Sequence, residues 1–203
     1  MYHRYLNIKK EDPKWEDRDR FILSKGHAGI AYAPVLCDFG YNDPEQLKTF
    51  NLTNSKMGIH LDSNKVAGVD ASTGSLGHGI PIAAGTAIAA RVLGKDYYTY
   101  VVTGDGELDE GSNWEGLMTI RHYNLTNCIT IVDRNHCMID GNTEDVMKLE
   151  PLADKFVAFG FHTIVCEGNN IVSLCKAIDE AHKTKDKPTV IVADTIKAVS
   201  YTH

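Results

Sequence analysis

Tyr97–Thr103 (YYTYVVT) runs directly into Gly104-Asp105-Gly106, and Cys128–Asp133 (CITIVD) runs into Arg134-Asn135. The first run is rich in β-branched and aromatic residues and stops at a glycine turn, the pattern of a buried strand. The second reads as another strand. Between them, Gly111–Tyr123 places apolar residues at Trp114, Leu117, Met118 and Ile120, a helical spacing. The alternation continues downstream. A helix is expected over Pro151–Gly160, with proline suited to the first turn and glycine to the stop. A strand follows over Phe161–Cys166, a helix over Asn170–His182, and a strand over Thr189–Thr195 (TVIVADT). Near-continuous apolar strands separated by helices predict an α/β fold, a parallel sheet with helices on both faces.

The first ninety residues read as more helical. Asn42-Asp43-Pro44-Glu45 supplies a cap and a proline at the first helical position, opening a helix near Pro44–Asn51. Gly79–Leu93 (GIPIAAGTAIAARVL) is a helix crowded with small residues, among them Ala83, Ala84, Gly85, Ala87, Ala89 and Ala90. Burial in the core and close packing against another chain both account for that composition, and both can hold together. No internal repeat, linker or low-complexity tract divides the 203 residues, so residues 1–203 are expected to form a single domain.

Composition narrows the function classes. With 43% hydrophobic and 24% charged residues the chain is an ordinary globular one, which argues against disorder or a fibrous scaffold. A net charge of −6 makes a broad nucleic-acid footprint unexpected. No apolar run approaches the roughly 20 residues of a membrane span, and MYHRYLNIKK carries no signal-peptide core. The five cysteines (Cys37, Cys128, Cys137, Cys166 and Cys175) form no CxxC pair and read as reduced thiols, which suits a cytoplasmic location.

The chemistry is concentrated where the first two strands end. Alone, Gly104-Asp105-Gly106 is explained equally well by a plain turn. It gains weight from Asn135, which follows the next strand after the 28 positions of residues 107–134. Consecutive parallel strands often lie side by side, so Asp105 and Asn135 can meet at one sheet edge. A carboxylate and an amide oxygen with a nearby carbonyl form a hard-oxygen set for Mg2+ or Ca2+, leaving positions for water and phosphate oxygens. Asp105, Glu107, Asp109 and Glu110 put four carboxylates within Gly104–Gly111. They would repel a bare diphosphate, and a bound cation reverses that local sign.

GDG, an acidic turn, and roughly 30 residues to DxN resembles the thiamine diphosphate fingerprint. Five segments, in order, resemble the N-terminal, diphosphate-binding part of transketolase: Asp17–His27 (DRDRFILSKGH), Ala67–Gly79 (AGVDASTGSLGHG), Gly104–Glu115 (GDGELDEGSNWE), Asp133–Gly141 (DRNHCMIDG) and Lys187–Lys197 (KPTVIVADTIK). The likeness covers nearly the whole chain. It implies the diphosphate-binding domain of the thiamine diphosphate fold, with Mg2+ as the cation and Ca2+ or Mn2+ as alternatives. Asp105 and Asn135 would hold the metal together with the main-chain carbonyl of Cys137. Gly104 and Gly106 would face the diphosphate, Ile139 the thiazolium ring, and Gly74 and Leu76 the aminopyrimidine side.

The same resemblance assigns His27 (SKGH) and His60 (MGIH) to the diphosphate and the reactive carbon, where ketol transfer needs proton movement near neutral pH. Without it, either would read as a surface or core histidine. Glu110 and Glu115 match acids that link two cofactor sites across a dimer, although a helix N-terminus also favours an acid at Glu110. The role of His78 stays open. Lys25 and Arg18 read as a solvated charged face, and Trp15 and Trp114 as packing residues.

Transketolases also carry an upstream helix with a GHxG histidine and a glycine-rich continuation after TIK. Neither lies within these residues, so the domain is expected to be incomplete at both ends, and His203 is either a site residue or incidental. The glutamate that such enzymes place on a pyrimidine-binding domain is missing too. The resemblance therefore implies a split transketolase, in which a C-terminal partner subunit supplies that domain in an α2β2 assembly acting on sugar phosphates. Alternatives are a subunit of another thiamine diphosphate enzyme (1-deoxyxylulose-5-phosphate synthase-like or 2-oxoacid dehydrogenase-like) and a non-catalytic cofactor-binding module. Sulfonated or branched sugars stay open beside phosphorylated pentoses.

Overall fold

Seven strands and six helices follow one another along residues 1–139 and 141–197, the residues that the computed structural model describes. A short strand β1 (Arg20–Leu23) precedes α1 (Gly29–Phe39), and α2 (Gly79–Val92) leads into β2 (Thr99–Gly104). Next come α3 (Gly111–His122), β3 (Cys128–Arg134) and a small antiparallel hairpin of β4 (Cys137–Met138) and β5 (Gly141–Asn142). One-turn α4 (Thr143–Val146) and α5 (Leu152–Ala158) then lead to β6 (His162–Glu167), α6 (Ile171–Lys183) and β7 (Thr189–Asp194).

Five of the strands form one wholly parallel sheet in the order β1-β2-β3-β7-β6. Its strands are apolar on both faces because alternate residues enter different cores. Tyr100, Ile129, Ile131 and Ile191 pack with α1 and α6, whereas Val101, Val132, Val190 and Val192 pack with α2, α3 and α5. Each fully buried side chain such as Leu117, Ile129 or Phe156 contributes roughly 1.5–3 kcal/mol relative to exposure. The expected α/β architecture is the one observed.

Small residues in α2 serve the core. Ala83, Ala84, Ala87 and Ala90 are buried, and Gly116 of α3 lies so close that a Cβ there would stand 2.9 Å from the Pro81 nitrogen. Gly85 faces open space.

Three elements differ from expectation. The helix expected over Pro44–Asn51 is a 3-10 turn, Pro44–Thr49, whose cap is nevertheless as read: Asp43 accepts the Glu45 N–H at 2.9 Å. Local pattern does not announce strand β1 or helix α1. β1 is four residues long beside charged neighbours, and one of these, Asp19, is buried because it accepts the N–H groups of Asn7 (2.8 Å) and Tyr98 (2.7 Å). α1 contains Pro34, which breaks the helical pattern in sequence yet sits on the exposed side of the helix.

Candidate active site

Parallel register sets Gly104 level with Asp133, and Arg134 level with Asp194. The chain therefore leaves β2 and β3 side by side at the carboxyl edge of the sheet, where open α/β sheets bind their ligands. Asp105 is buried there, 1% exposed. Its Oδ1 accepts the Gly106 N–H (2.8 Å), and its Oδ2 accepts from the His136 N–H (2.7 Å) and Arg134 Nη1 (2.9 Å). Asn135 donates from Nδ2 to Asp133 (3.1 Å) and accepts the Cys137 N–H at Oδ1 (3.0 Å), which settles the orientation of its amide.

Between Asn135 and Cys137, His136 adopts a left-handed conformation, φ 60°. That turn directs the His136 N–H at Asp105 and the Cys137 N–H at Asn135. A Cβ on Gly106 would lie 3.0 Å from Met138 Cβ and 3.7 Å from the Cys137 carbonyl oxygen, so the glycine lets the two loops touch. Asp105, Asn135 and the Cys137 main-chain oxygen thus lie on two loops in direct contact. Asp105 Oδ1 and Asn135 Oδ1 each take one hydrogen bond and keep capacity for another ligand. Two or three protein oxygens with room for water and phosphate fit Mg2+. Among the described residues no cluster of three or more His, Cys, Asp and Glu side chains suited to a metal occurs.

A second group meets beside the first. Gly26 packs on the Thr73–Gly74 backbone, where an added Cβ would stand 2.7 Å from the Thr73 carbonyl carbon and oxygen. Thr73 Oγ1 donates to the Leu23 carbonyl at 2.6 Å. Gly74, at φ +148°, faces His60, with an added Cβ 3.0 Å from the ring. His27, His60 and Gly74 are therefore neighbours. Partial burial lowers the His27 pKa below its ordinary value, and Lys25 adds to this; Glu107 opposes it, while His60 and Lys197 push it further down. A neutral imidazole near pH 7 is suited to accept a proton.

Glu107 is more than one acid in a run of four. It is 3% exposed and accepts from Ser24 Oγ, the Gly77 N–H (3.0 Å), Thr103 Oγ1 (2.8 Å) and the Gly104 N–H (3.1 Å). One carboxylate thus ties the ends of β1 and β2 to the Gly74–Gly77 loop. With Asp105 also buried and bonded, only Asp109 and Glu110 of the four acids are exposed. The charge turned toward a ligand is smaller than the sequence count implies.

Lys25 and Arg18 do not form a solvated face. Lys25 pairs with Asp133, which also accepts from Thr195 Oγ1; burial raises the Asp133 pKa, but the Lys25 and Thr195 bonds outweigh it and hold the carboxyl below its usual range. Arg18 pairs with Asp70, and both side chains are largely buried. Their partners lie far along the chain, so local charge spacing could not reveal them.

The remaining residues line the rim. Glu110 precedes α3 and packs on Gly77, whose added Cβ would be 2.6 Å from Glu110 Cβ. Glu115 is exposed on α3, Leu76 is half-buried, and His78 is exposed just before α2. Ile139 is 99% exposed, and Ile30, Ile59 and Ile196 are exposed beside the same loops. Trp114 packs as expected, with its ring 5.8 Å from Phe156 and Nε1 donating to the Leu108 carbonyl at 2.7 Å. Lys9 Nζ lies 3.9 Å from the ring centre of half-buried Trp15. His203 lies outside the described residues.

The family profile "Transketolase, thiamine diphosphate binding domain" matches residues 1–201. An apulose-4-phosphate transketolase subunit of Actinobacillus succinogenes is 41% identical over 197 residues, covering 97% of this chain and 71% of that protein. A 6-deoxy-6-sulfo-D-fructose transketolase subunit of a Clostridium species is 38% identical over 197 residues, covering 97% and 72%. Among solved structures, transketolase from Leishmania mexicana superposes with a TM-score of 0.90 at 37% identity, over 94% of this chain and 30% of that one. The chain thus spans less than a third of the solved transketolase and about seven-tenths of the two subunit relatives.

Proposed function

Since the chain belongs to the transketolase family of transferases, as its thiamine diphosphate-binding part, we propose that it is the diphosphate-anchoring subunit of a split transketolase. The observation that carries this reading is the contact between the Asp105–Gly106 turn and the Asn135–Cys137 loop at neighbouring strand ends. Asp105, Asn135 and the Cys137 carbonyl would hold Mg2+, with Ca2+ or Mn2+ as substitutes. Gly104 and Gly106 would admit the diphosphate, Ile139 would pack on the thiazolium ring, and Gly74 and Leu76 would border the aminopyrimidine. When bound, thiamine diphosphate supplies a nucleophilic carbon and an electron sink for carbon–carbon cleavage. His27 and His60 would move protons at the donor hydroxyl and the acceptor carbonyl of the sugars.

A second chain would supply the pyrimidine-binding domain, its glutamate and the remaining walls of the site. Exposed Ile139, two residues from Cys137, and exposed Ile59, next to His60, support that reading, since exposed apolar side chains beside a site suit a surface that is covered in use. Glu110 and Glu115 would link cofactor sites across an α2β2 heterotetramer. Residues 1–203 would belong to one diphosphate-binding domain. No described helix is long and apolar enough to cross a membrane, and the free cysteines suit the cytoplasm.

The reaction would move a two-carbon ketol unit from a ketose to an aldose. Phosphorylated sugars of pentose phosphate chemistry are the default, and the relatives named for apulose-4-phosphate and 6-deoxy-6-sulfo-D-fructose add branched and sulfonated sugars to the panel. The test is to assay the purified chain alone and with a candidate partner, supplying thiamine diphosphate and Mg2+. Ketol transfer only in the mixture is expected. Robust turnover by the single chain would contradict the split-enzyme reading.

A further inference from the structure

Arg134 stands between the two ends of the DRN segment and is 3% exposed. All five of its N–H donors are used. Nη1 donates to Asp105 Oδ2 (2.9 Å) and Thr143 Oγ1 (2.6 Å), Nη2 to Glu144 (2.8 Å) and Glu150 (2.9 Å), and Nε to Glu150 (3.2 Å). A planar fork can satisfy acceptors from three chain segments at once, which three ammonium protons on a flexible stem cannot reproduce. The bond to Asp105 occupies Oδ2 together with the His136 N–H, leaving Oδ1 as the oxygen with capacity for a cation.

We propose that Arg134 is a positioning residue that locks the Asp105 carboxylate and the His136–Cys137 turn in their cation-binding arrangement before any cation arrives. This rests on the metal reading given above. Three carboxylates around one guanidinium leave the neighbourhood net negative, so the arginine does not repel a divalent ion from the site. Burial acts against its charge, but the bonds to Asp105, Glu150 and Glu144 keep its pKa above the ordinary value. A buried, bonded network of this kind fixes one geometry when every member is satisfied.

The test uses two substitutions that conserve net charge, Arg134→Lys and Thr143→Val, so that electrostatic attraction for the cation is held nearly constant. Amide hydrogen exchange at Gly106 and His136 is read without cofactor, against Val190 of β7 as an internal reference. Calorimetry with thiamine diphosphate and Mn2+ is read on the full chain assembled with its partner. Arg134→Lys is expected to raise exchange at both amides about tenfold relative to Val190 and to weaken the Mn2+-dependent affinity about tenfold. Thr143→Val, the milder change, is expected to produce about threefold effects in the same direction, and it keeps the test decisive if Arg134→Lys does not fold. Unchanged relative exchange at Gly106 and His136 in a folded variant would overturn the proposal. If the unsubstituted chain, assembled with its partner, binds no cofactor, the metal reading fails while the exchange result still judges the clamp.

Discussion

The Glu107 carboxylate accepts the Gly77 N–H at 3.0 Å across thirty residues of chain. With its other oxygen it accepts the Gly104 N–H at the end of β2, so the loop that borders the histidines is fastened to the loop that carries Asp105. Replacing Glu107 by Gln turns one of those oxygens into a donor and leaves a buried N–H unpaired, at about 1–3 kcal/mol. The urea midpoint of Glu107→Gln should fall accordingly. Glu115→Gln, an exposed change, should shift stability by no more than about 0.5 kcal/mol.

Two glycines at the histidine loops should respond differently to one methyl group. Gly26→Ala meets backbone at 2.7 Å, which cannot swing aside, and should destabilise by about 1–3 kcal/mol. Each kcal/mol corresponds to roughly 2–4 °C in melting temperature for a chain of this size. Gly74→Ala meets the His60 ring, which can rotate away, but at φ +148° a side chain strains the backbone. It too should destabilise, by about 1 kcal/mol, and should in addition lower kcat. Melting curves and turnover of the assembled enzyme separate the two. An unchanged melting temperature for Gly26→Ala would contradict the packing described.

Much of this arrangement is legible from local pattern. YYTYVVT and CITIVD announce buried strands by composition, and the glycine and DRN segments that follow them fall at one sheet edge because parallel strands share polarity. What local pattern hides is pairing over distance. Lys25 reads as solvated because its partner Asp133 is 108 residues away, and Glu107 reads as one acid in a run because four donors from three segments are needed to bury it. The left-handed position of the Asn135–Cys137 turn is filled by His136 rather than by glycine or asparagine, so the sequence does not signal it. α1 is obscured by Pro34, tolerated since the residue lies on the exposed face.

His27 gives stability a pH dependence of definite sign. Its folded pKa lies below the ordinary value near 6.5, chiefly through partial burial and Lys25. Between the two values the unfolded chain binds more protons, so stability is full above about pH 6.5 and falls as pH drops toward the folded value. His27→Gln should flatten part of that slope between about pH 5 and 7.5. Urea unfolding across this range, comparing slopes of the two proteins, makes the check; identical slopes would show that His27 is not partly desolvated in the folded protein.

One divalent ion held by Asp105, Asn135 and the Cys137 carbonyl would join the ends of β2 and β3. Crystals of the chain with its partner, grown with thiamine diphosphate and Mn2+, test it through anomalous scattering. A Mn2+ peak is expected in ligand contact with Asp105 Oδ1, Asn135 Oδ1 and the Cys137 carbonyl oxygen. A bound cofactor with no such peak, or with its ion held instead by Asp109 and Glu110, would contradict it.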